Sequence, residues 1–170
     1  FLYSCAYTPL KTVTPLSVFV GAIPGAIPFM LGWVSATGNF GIESGILFMI
    51  QFFWQFPHFW AIGWMMHSDY QKAGINMLPT GSTGNATALQ IILYTLWTIV
   101  ISIIPVFGFT EALQLSVVAA VVVGAVGLML LWTGFQLYRN HSVANAKKLM
   151  IMSIAYITAI QWIYVLDKFI

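Results

Sequence analysis

Charge is what this sequence has least of. Only 6% of its 170 residues are Asp, Glu, Lys or Arg, against a hydrophobic content of 60% and a mean hydropathy of +0.90. A soluble domain carries about a quarter charged residues, so water is excluded as the solvent for most of this surface, and a bilayer takes its place. The single cysteine, Cys5, excludes a disulfide within the chain and leaves the redox compartment unread. There is no basic run, and a net charge of +2 gives no electrostatic footprint for nucleic acid. The chain lacks an initial methionine and opens on FLYSCAY, which is too short for a signal peptide and has no basic flank. The expectation is the tail of a helix begun upstream, and so a C-terminal fragment of an all-α, polytopic membrane protein.

What is present is a series of long apolar runs. A bilayer core of roughly 30 Å needs about 20 mostly apolar residues per helix, and five segments meet that length: 16–36, 42–66, 88–109, 112–137 and 149–166. The intervening stretch 67–87 is a loop long for a helical membrane protein, and its Gly, Pro and Asn content suits a loop over an active site. On this helix count, Lys11, Lys72, Arg139, Lys147 and Lys148 all fall on one side of the membrane. Positive loops stay in the cytoplasm, which places residues 67–72 there.

The first span holds Gly21 and Gly25, a small-residue spacing that lets helices pack closely in lipid. Its Pro24 and Pro28 each remove a backbone donor, so freed carbonyls need partners from a neighbour. The reading is a kinked packing helix, or a bend that opens a cavity. The third and fourth spans carry no charge and read as scaffold, with Gln90, Ser102 and Ser116 as hydrogen-bonders and Ala120, Gly124 and Gly127 as close-packing positions.

The second span carries the chemistry. Ionisable residues at membrane depth are costly and point to function, and His58 sits inside the aromatic run PHFW. On an unbroken helix, His58, Ile62, Met65 and Asp69 share one stripe, with His58 about 16 Å deeper at 1.5 Å per residue. His58 is then either a histidine satisfied by a helix backbone or a contact to a ligand in a cavity. Asp69, Tyr70 and Lys72 crowd the mouth, where a carboxylate beside lysines suits an anion held through a divalent cation; Mg²⁺ takes few carboxylates and completes its shell with phosphate oxygens. The plain alternative is interfacial snorkelling and a helix cap.

At this point four stretches in register carry a resemblance: YTPLK from Tyr7 to Lys11, GAIPGAIPFMLGW from Gly21 to Trp33, WQFPHFWA from Trp54 to Ala61, and DYQKAGINMLP from Asp69 to Pro79. With AKKLMIMSIAYI and YVLDKF near the end, they resemble the haem-modifying branch of the intramembrane aromatic prenyltransferase (UbiA) family. The resemblance implies a nine-helix bundle, of which this chain supplies the last five helices and the end of the fourth. It implies transfer of a farnesyl group from farnesyl diphosphate to the 2-vinyl of haem b, giving haem O for terminal oxidases, in a bacterial inner membrane. Haem A synthase or an oxidase assembly is the implied partner.

The same resemblance implies the site. Asp69 would bind Mg²⁺, while Lys72 and Lys11 would contact diphosphate or a haem propionate. His58 would face the haem, as an iron ligand or an orienting contact, with Tyr70, Trp54, Trp60 and Tyr7 as further substrate contacts. A first acidic motif lies outside these residues, so the fragment alone is expected to be inactive. The chain departs from the family pattern at Ala73, where a second acid tends to stand, at Ser68, which is often acidic, and at Thr12, which is often Arg.

Three other readings compete. A prenyltransferase acting on an aromatic quinone precursor offers no reason for a histidine in mid-helix. A transporter would carry charges in the later spans, which have none. A haem-binding subunit without catalysis would need a second membrane histidine, yet His67 and His141 both fall in loops.

Overall fold

The structure is a computed structural model describing residue 10 and residues 14–169, so Tyr7, Lys11 and Thr12 lie outside the described residues. Its helices run in the order α1 (Ser17–Thr37), α2 (Ile42–Met65), the short α3 (His67–Lys72), α4 (Asn85–Ile103), α5 (Val117–Arg139) and α6 (Val143–Leu166). Pro105, without an N–H, ends α4 as an α-helix, and a 3₁₀ turn (Ile104–Phe107) continues it. α1, α5, α6 and α4 with its 3₁₀ extension are each long and apolar enough to cross a membrane.

α2 has 24 residues but is too polar for that group, because it carries Glu43, Gln51, Gln55 and His58. Its neighbours explain the tolerance. It packs against α1, α4 and α6, so protein rather than lipid surrounds much of it. α4 shows the opposite arrangement on its outer side: Leu89, Leu93, Leu96 and Val100 form an exposed apolar stripe at helical spacing. On its inner face, Thr95, Thr98 and Ser102 return their hydroxyls to the carbonyls of Ile91, Tyr94 and Thr98 at 2.8, 2.8 and 2.7 Å. Such back-bonding lets a hydroxyl enter hydrocarbon without an orphan donor.

Small residues set the helix spacing. A side chain at Gly127 of α5 would begin 2.7 Å from Ile99 Cγ1 of α4, and Gly124 and Gly134 face Ile103 and Ile92 of the same helix. On α1, a Cβ at Gly25 would overlap the Gln55 amide oxygen. Gln55 Nε2 donates to Ala22 O at 3.2 Å and to Gln51 O at 3.1 Å. The neighbouring helix thus supplies a donor to the proline-containing segment, although the carbonyl it reaches is Ala22's and not one that Pro24 or Pro28 releases.

Three helix starts differ from the sequence expectation, and the stretch 67–87 expected as loop is helical at His67–Lys72 and again from Asn85, where α4 begins and not at 88. α5 begins at Val117 and not at 112, because the Ser116 hydroxyl accepts from Ala119 N at 3.1 Å and caps the helix there. α6 begins at Val143 and not at 149, because Ser142 caps it in the same way, through Asn145 N at 3.3 Å. Lys147 and Lys148 consequently sit on the first turns of a helix, both exposed.

The bundle is also polarised. Trp64 at the end of α2 donates to His141 O at 3.4 Å, and His141 Nε2 pairs with Asn85 Oδ1 at 2.8 Å, so these three segments meet at one end. Among the described residues, Lys72, Arg139, Lys147 and Lys148 belong to that end, with Asp69 as its single acidic side chain. Glu43, Glu111 and Asp167 lie at the other, where Glu43 Oε1 accepts from Glu111 N at 3.2 Å.

Candidate active site

The mouth is built on α3. α2 does not run on unbroken to Asp69: it stops at Met65, and Met66 (φ −99°, ψ 14°) separates it from α3. The single stripe expected from His58 to Asp69 is therefore interrupted. Pro57, by contrast, is absorbed within α2. α3 closes on Gly74, whose φ of +67° favours glycine. Ile75 N bonds Tyr70 O at 2.8 Å and Gly74 N bonds Gln71 O at 3.1 Å, the pair of bonds of a Schellman motif. The sequence QKAGI is thus a helix stop that turns the chain back toward α2.

The returning loop is anchored. Leu78 is fully buried, and a Cβ at Gly63 of α2 would fall 3.1 Å from Met77 Cβ and 3.2 Å from Leu78 Cδ2. Farther on, the Thr87 hydroxyl donates to Ser82 O at 2.8 Å and lies 2.6 Å from Thr80 Oγ1, tying the loop to the start of α4. Glycine at 63 therefore admits the loop against the helix that bears His58.

Asp69 and Lys72 are both exposed, with Nζ 3.7 Å from Oδ1. An exposed pair of this kind contributes under about 1 kcal/mol, so either partner can turn to a ligand at little cost. Tyr70 is half-buried beside them. Among the described residues no group of three or more His, Cys, Asp or Glu could enclose a metal ion. One accessible carboxylate does not fit a resident metal held by protein alone, and it does fit a Mg²⁺ whose remaining ligands are phosphate oxygens.

Deeper in the bundle, His58 is half-buried and its Nδ1 lies 2.9 Å from the hydroxyl of Ser153 on α6. Ser153 Oγ donates to Met150 O at 2.6 Å. Trp54 donates from Nε1 to Ser153 O at 2.6 Å and stacks on the imidazole, with ring centroids 4.9 Å apart and planes 15° apart. Phe59 meets the imidazole edge-on at 5.6 Å. The sequence reading missed Ser153: a serine in an apolar helix signals only packing, and its partners stand 95 and 99 positions away.

Trp60, named with Trp54 from sequence, goes elsewhere. It is in the core, only 1% exposed, packed against Phe56 and Tyr94. Lys11 and Tyr7 fall outside the described residues. An apolar cavity of about 640 Å³ opens between α1, α2 and α6, lined by Phe29, Trp33, Leu47, Ile50 and Tyr164; Asp69, Tyr70 and Lys72 do not line it.

The UbiA prenyltransferase family model matches residues 1–157. The protoheme IX farnesyltransferases of Flavobacterium psychrophilum and Christiangramia forsetii are each 61% identical over 170 residues, covering all of this chain and 57% of each relative. The protein of the same name from Cytophaga hutchinsonii is 44% identical over 169 residues, or 98% of this chain and 57% of its own. The chain thus spans little more than half the length of these relatives. No solved structure matches it. With a match of that extent, and an all-helical bundle with four membrane-capable helices, the chain belongs to the UbiA prenyltransferase family.

Proposed function

We propose that the full-length protein transfers the farnesyl group of farnesyl diphosphate to the 2-vinyl of haem b, giving haem O. One observation carries this reading. α2 holds His58 against stacked aromatic rings, and one residue beyond its end α3 presents Asp69 and Lys72 to solvent. A flat apolar acceptor and a charged leaving group are thereby served by consecutive elements. The names of the relatives from Flavobacterium psychrophilum and Christiangramia forsetii support the same substrates.

The chemistry divides between mouth and wall. The C1–O bond of the allylic diphosphate breaks, and diphosphate leaves with the electron pair. Mg²⁺, bound by Asp69 and the diphosphate oxygens, would supply charge neutralisation at the leaving group. Lys72, with Lys11 from the preceding segment, adds positive charge there and holds diphosphate or a propionate. The vinyl π electrons form the new C–C bond to the farnesyl carbon. The resulting benzylic-type cation takes hydroxide from water, which releases a proton and leaves a hydroxyethylfarnesyl group. Trp54, Phe59 and the other aromatics of α2 exclude water until the bond has formed. Tyr70, Trp54 and Tyr7 contact substrate, whereas Trp60 backs the wall from the core. The basic end of the bundle faces the cytoplasm across a bacterial inner membrane, and haem A synthase or a terminal oxidase assembly receives the product.

Full-length protein in vesicles with haem b, farnesyl diphosphate and Mg²⁺ tests the reading. Haem O should form, and chelation of Mg²⁺ should stop it. With an aromatic acid such as 4-hydroxybenzoate offered beside haem b, formation of the prenylated acid in place of haem O would assign the chain to quinone precursor synthesis. Activity retained in Asp69→Ala would remove Asp69 from the mechanism.

A further inference from the structure

We propose that Ser153 is the positioning residue for His58, fixing its imidazole with the proton on Nδ1 and the lone pair on Nε2. A serine hydroxyl has one hydrogen, and Ser153 Oγ stands 2.6 Å from Met150 O and 2.9 Å from His58 Nδ1. A carbonyl oxygen can only accept. Two oxygens at 2.6 Å with no hydrogen between them repel, so the hydroxyl hydrogen belongs to the Met150 contact. His58 Nδ1 must then be the donor, and Ser153 Oγ accepts from it.

Neutral imidazole carries one N–H, so protonation at Nδ1 leaves Nε2 bare. Among the described residues Nε2 has no hydrogen-bond partner. Trp54 restrains the ring from its face by stacking, and its own N–H is anchored on the carbonyl of Ser153. One residue of α6 therefore holds both members of the stack, through its hydroxyl and its carbonyl. The group facing Nδ1 thus stands on a second helix, α6, and not on the helix that bears His58.

A bare Nε2 on a half-buried, oriented ring is a donor of electrons, suited to a metal centre in a flat ligand. Resting on the function proposed above, this assigns Nε2 to the iron of the haem substrate and makes Ser153 the group behind the ligand. Partners of this kind typically change metal affinity or activity by about 10–100-fold when removed.

The decisive measurement is nitrogen NMR of the full-length protein with ¹⁵N-labelled histidine in lipid bilayers, with His58→Asn used to assign the His58 signals. Wild-type protein without haem should show His58 protonated at Nδ1 and bare at Nε2; protonation at Nε2 would overturn the proposal. That result needs no Ser153 variant and stands if such a variant fails to fold. Ferric haem b is the probe for the second arm. Ser153→Ala should weaken haem binding about tenfold or more and change the haem absorption spectrum, with Ser153→Thr restoring both. Adding Ser153→Ala to His58→Ala should cost little further, because the two act as a unit. Identical haem spectra and affinity in wild type and Ser153→Ala would overturn the positioning role. Wild-type protein that binds haem through His58 in this tautomer, yet makes no farnesylated product, would support the positioning and sink the function.

Discussion

Gln55 of α2 reaches the carbonyl of Ala22 on α1 at 3.2 Å, and it does so in space that exists because residue 25 has no side chain. The amide is buried and both of its donor contacts go to backbone oxygens, Ala22 O and Gln51 O. In Gly25→Ala the new methyl would meet the Gln55 amide oxygen and force the two helices apart or the amide out of place. Overpacking of this kind costs about 1–3 kcal/mol. Unfolding of the protein in detergent should show that loss. The double variant with Gln55→Ala should recover part of it, as a coupled pair does; equal stability of Gly25→Ala and wild type would refute the contact.

Leu78 is the anchor of the loop over the mouth. Leu78→Ala should cost about 2–5 kcal/mol, the usual range for removing a fully buried leucine side chain. Because the side chain packs on Gly63 of α2, the damage should appear locally as well. Protease cleavage between residues 73 and 84 should rise in Leu78→Ala relative to wild type. An unchanged cleavage rate would mean that the loop is held by Thr80 and Thr87 alone.

At the mouth, activity and stability should separate. Asp69 and Lys72 are exposed and joined only by a 3.7 Å ion pair, so Asp69→Asn should alter unfolding stability by no more than about 0.5 kcal/mol. The same substitution should lower product formation on the order of a hundredfold, the scale of a lost electrostatic contact in a transition state. Lys72→Met should chiefly raise the KM for farnesyl diphosphate. A fall in melting temperature that matched the fall in activity would assign Asp69 a structural role.

Asp167 should give the opposite end an acid sensitivity. Its Oδ1 accepts from the Ser116 hydroxyl at 2.5 Å and its Oδ2 from Ser116 N at 2.8 Å. These bonds, the hydroxyl first, hold its pKa below the usual 3.8. A depressed carboxylate contributes stability that is complete above the unfolded value and lost as pH falls through the folded one. Stability should therefore decline below about pH 4, in part through this contact, and Asp167→Asn should flatten that decline. The group is exposed, so the effect is small; an identical acid limb in both proteins would show that the contact contributes nothing.

The helical character, and the grouping of Asp69, Tyr70 and Lys72 on one short segment after α2, were legible because lipid imposes long apolar runs and makes each charge conspicuous. The start of α5 was not, because residues 112–115 are as apolar as a helix and only the Ser116 cap excludes them. The start of α6 was hidden for the reverse reason: Asn145, Lys147 and Lys148 read as loop, yet they ride the exposed first turns of a helix. The break at Met66 has no proline or glycine to announce it. Trp60 and Trp54 look alike in sequence, but one is enclosed by Phe56 and Tyr94 and the other is tied to Ser153. Such differences are set by partners on other helices, which local pattern does not encode.

The separation of charge along the bundle has an electrical meaning. Among the described residues, four cations and one carboxylate stand at one end, and three carboxylates with Lys168 stand at the other. Each elementary charge moved across a potential of 100 mV changes energy by about 2.3 kcal/mol. A membrane that is negative on the basic side therefore resists inversion of this bundle, and the resistance grows as the membrane is energised. Voltage, acting on Lys72, Arg139, Lys147 and Lys148, would thus hold the end that carries Asp69 on the negative side of such a membrane.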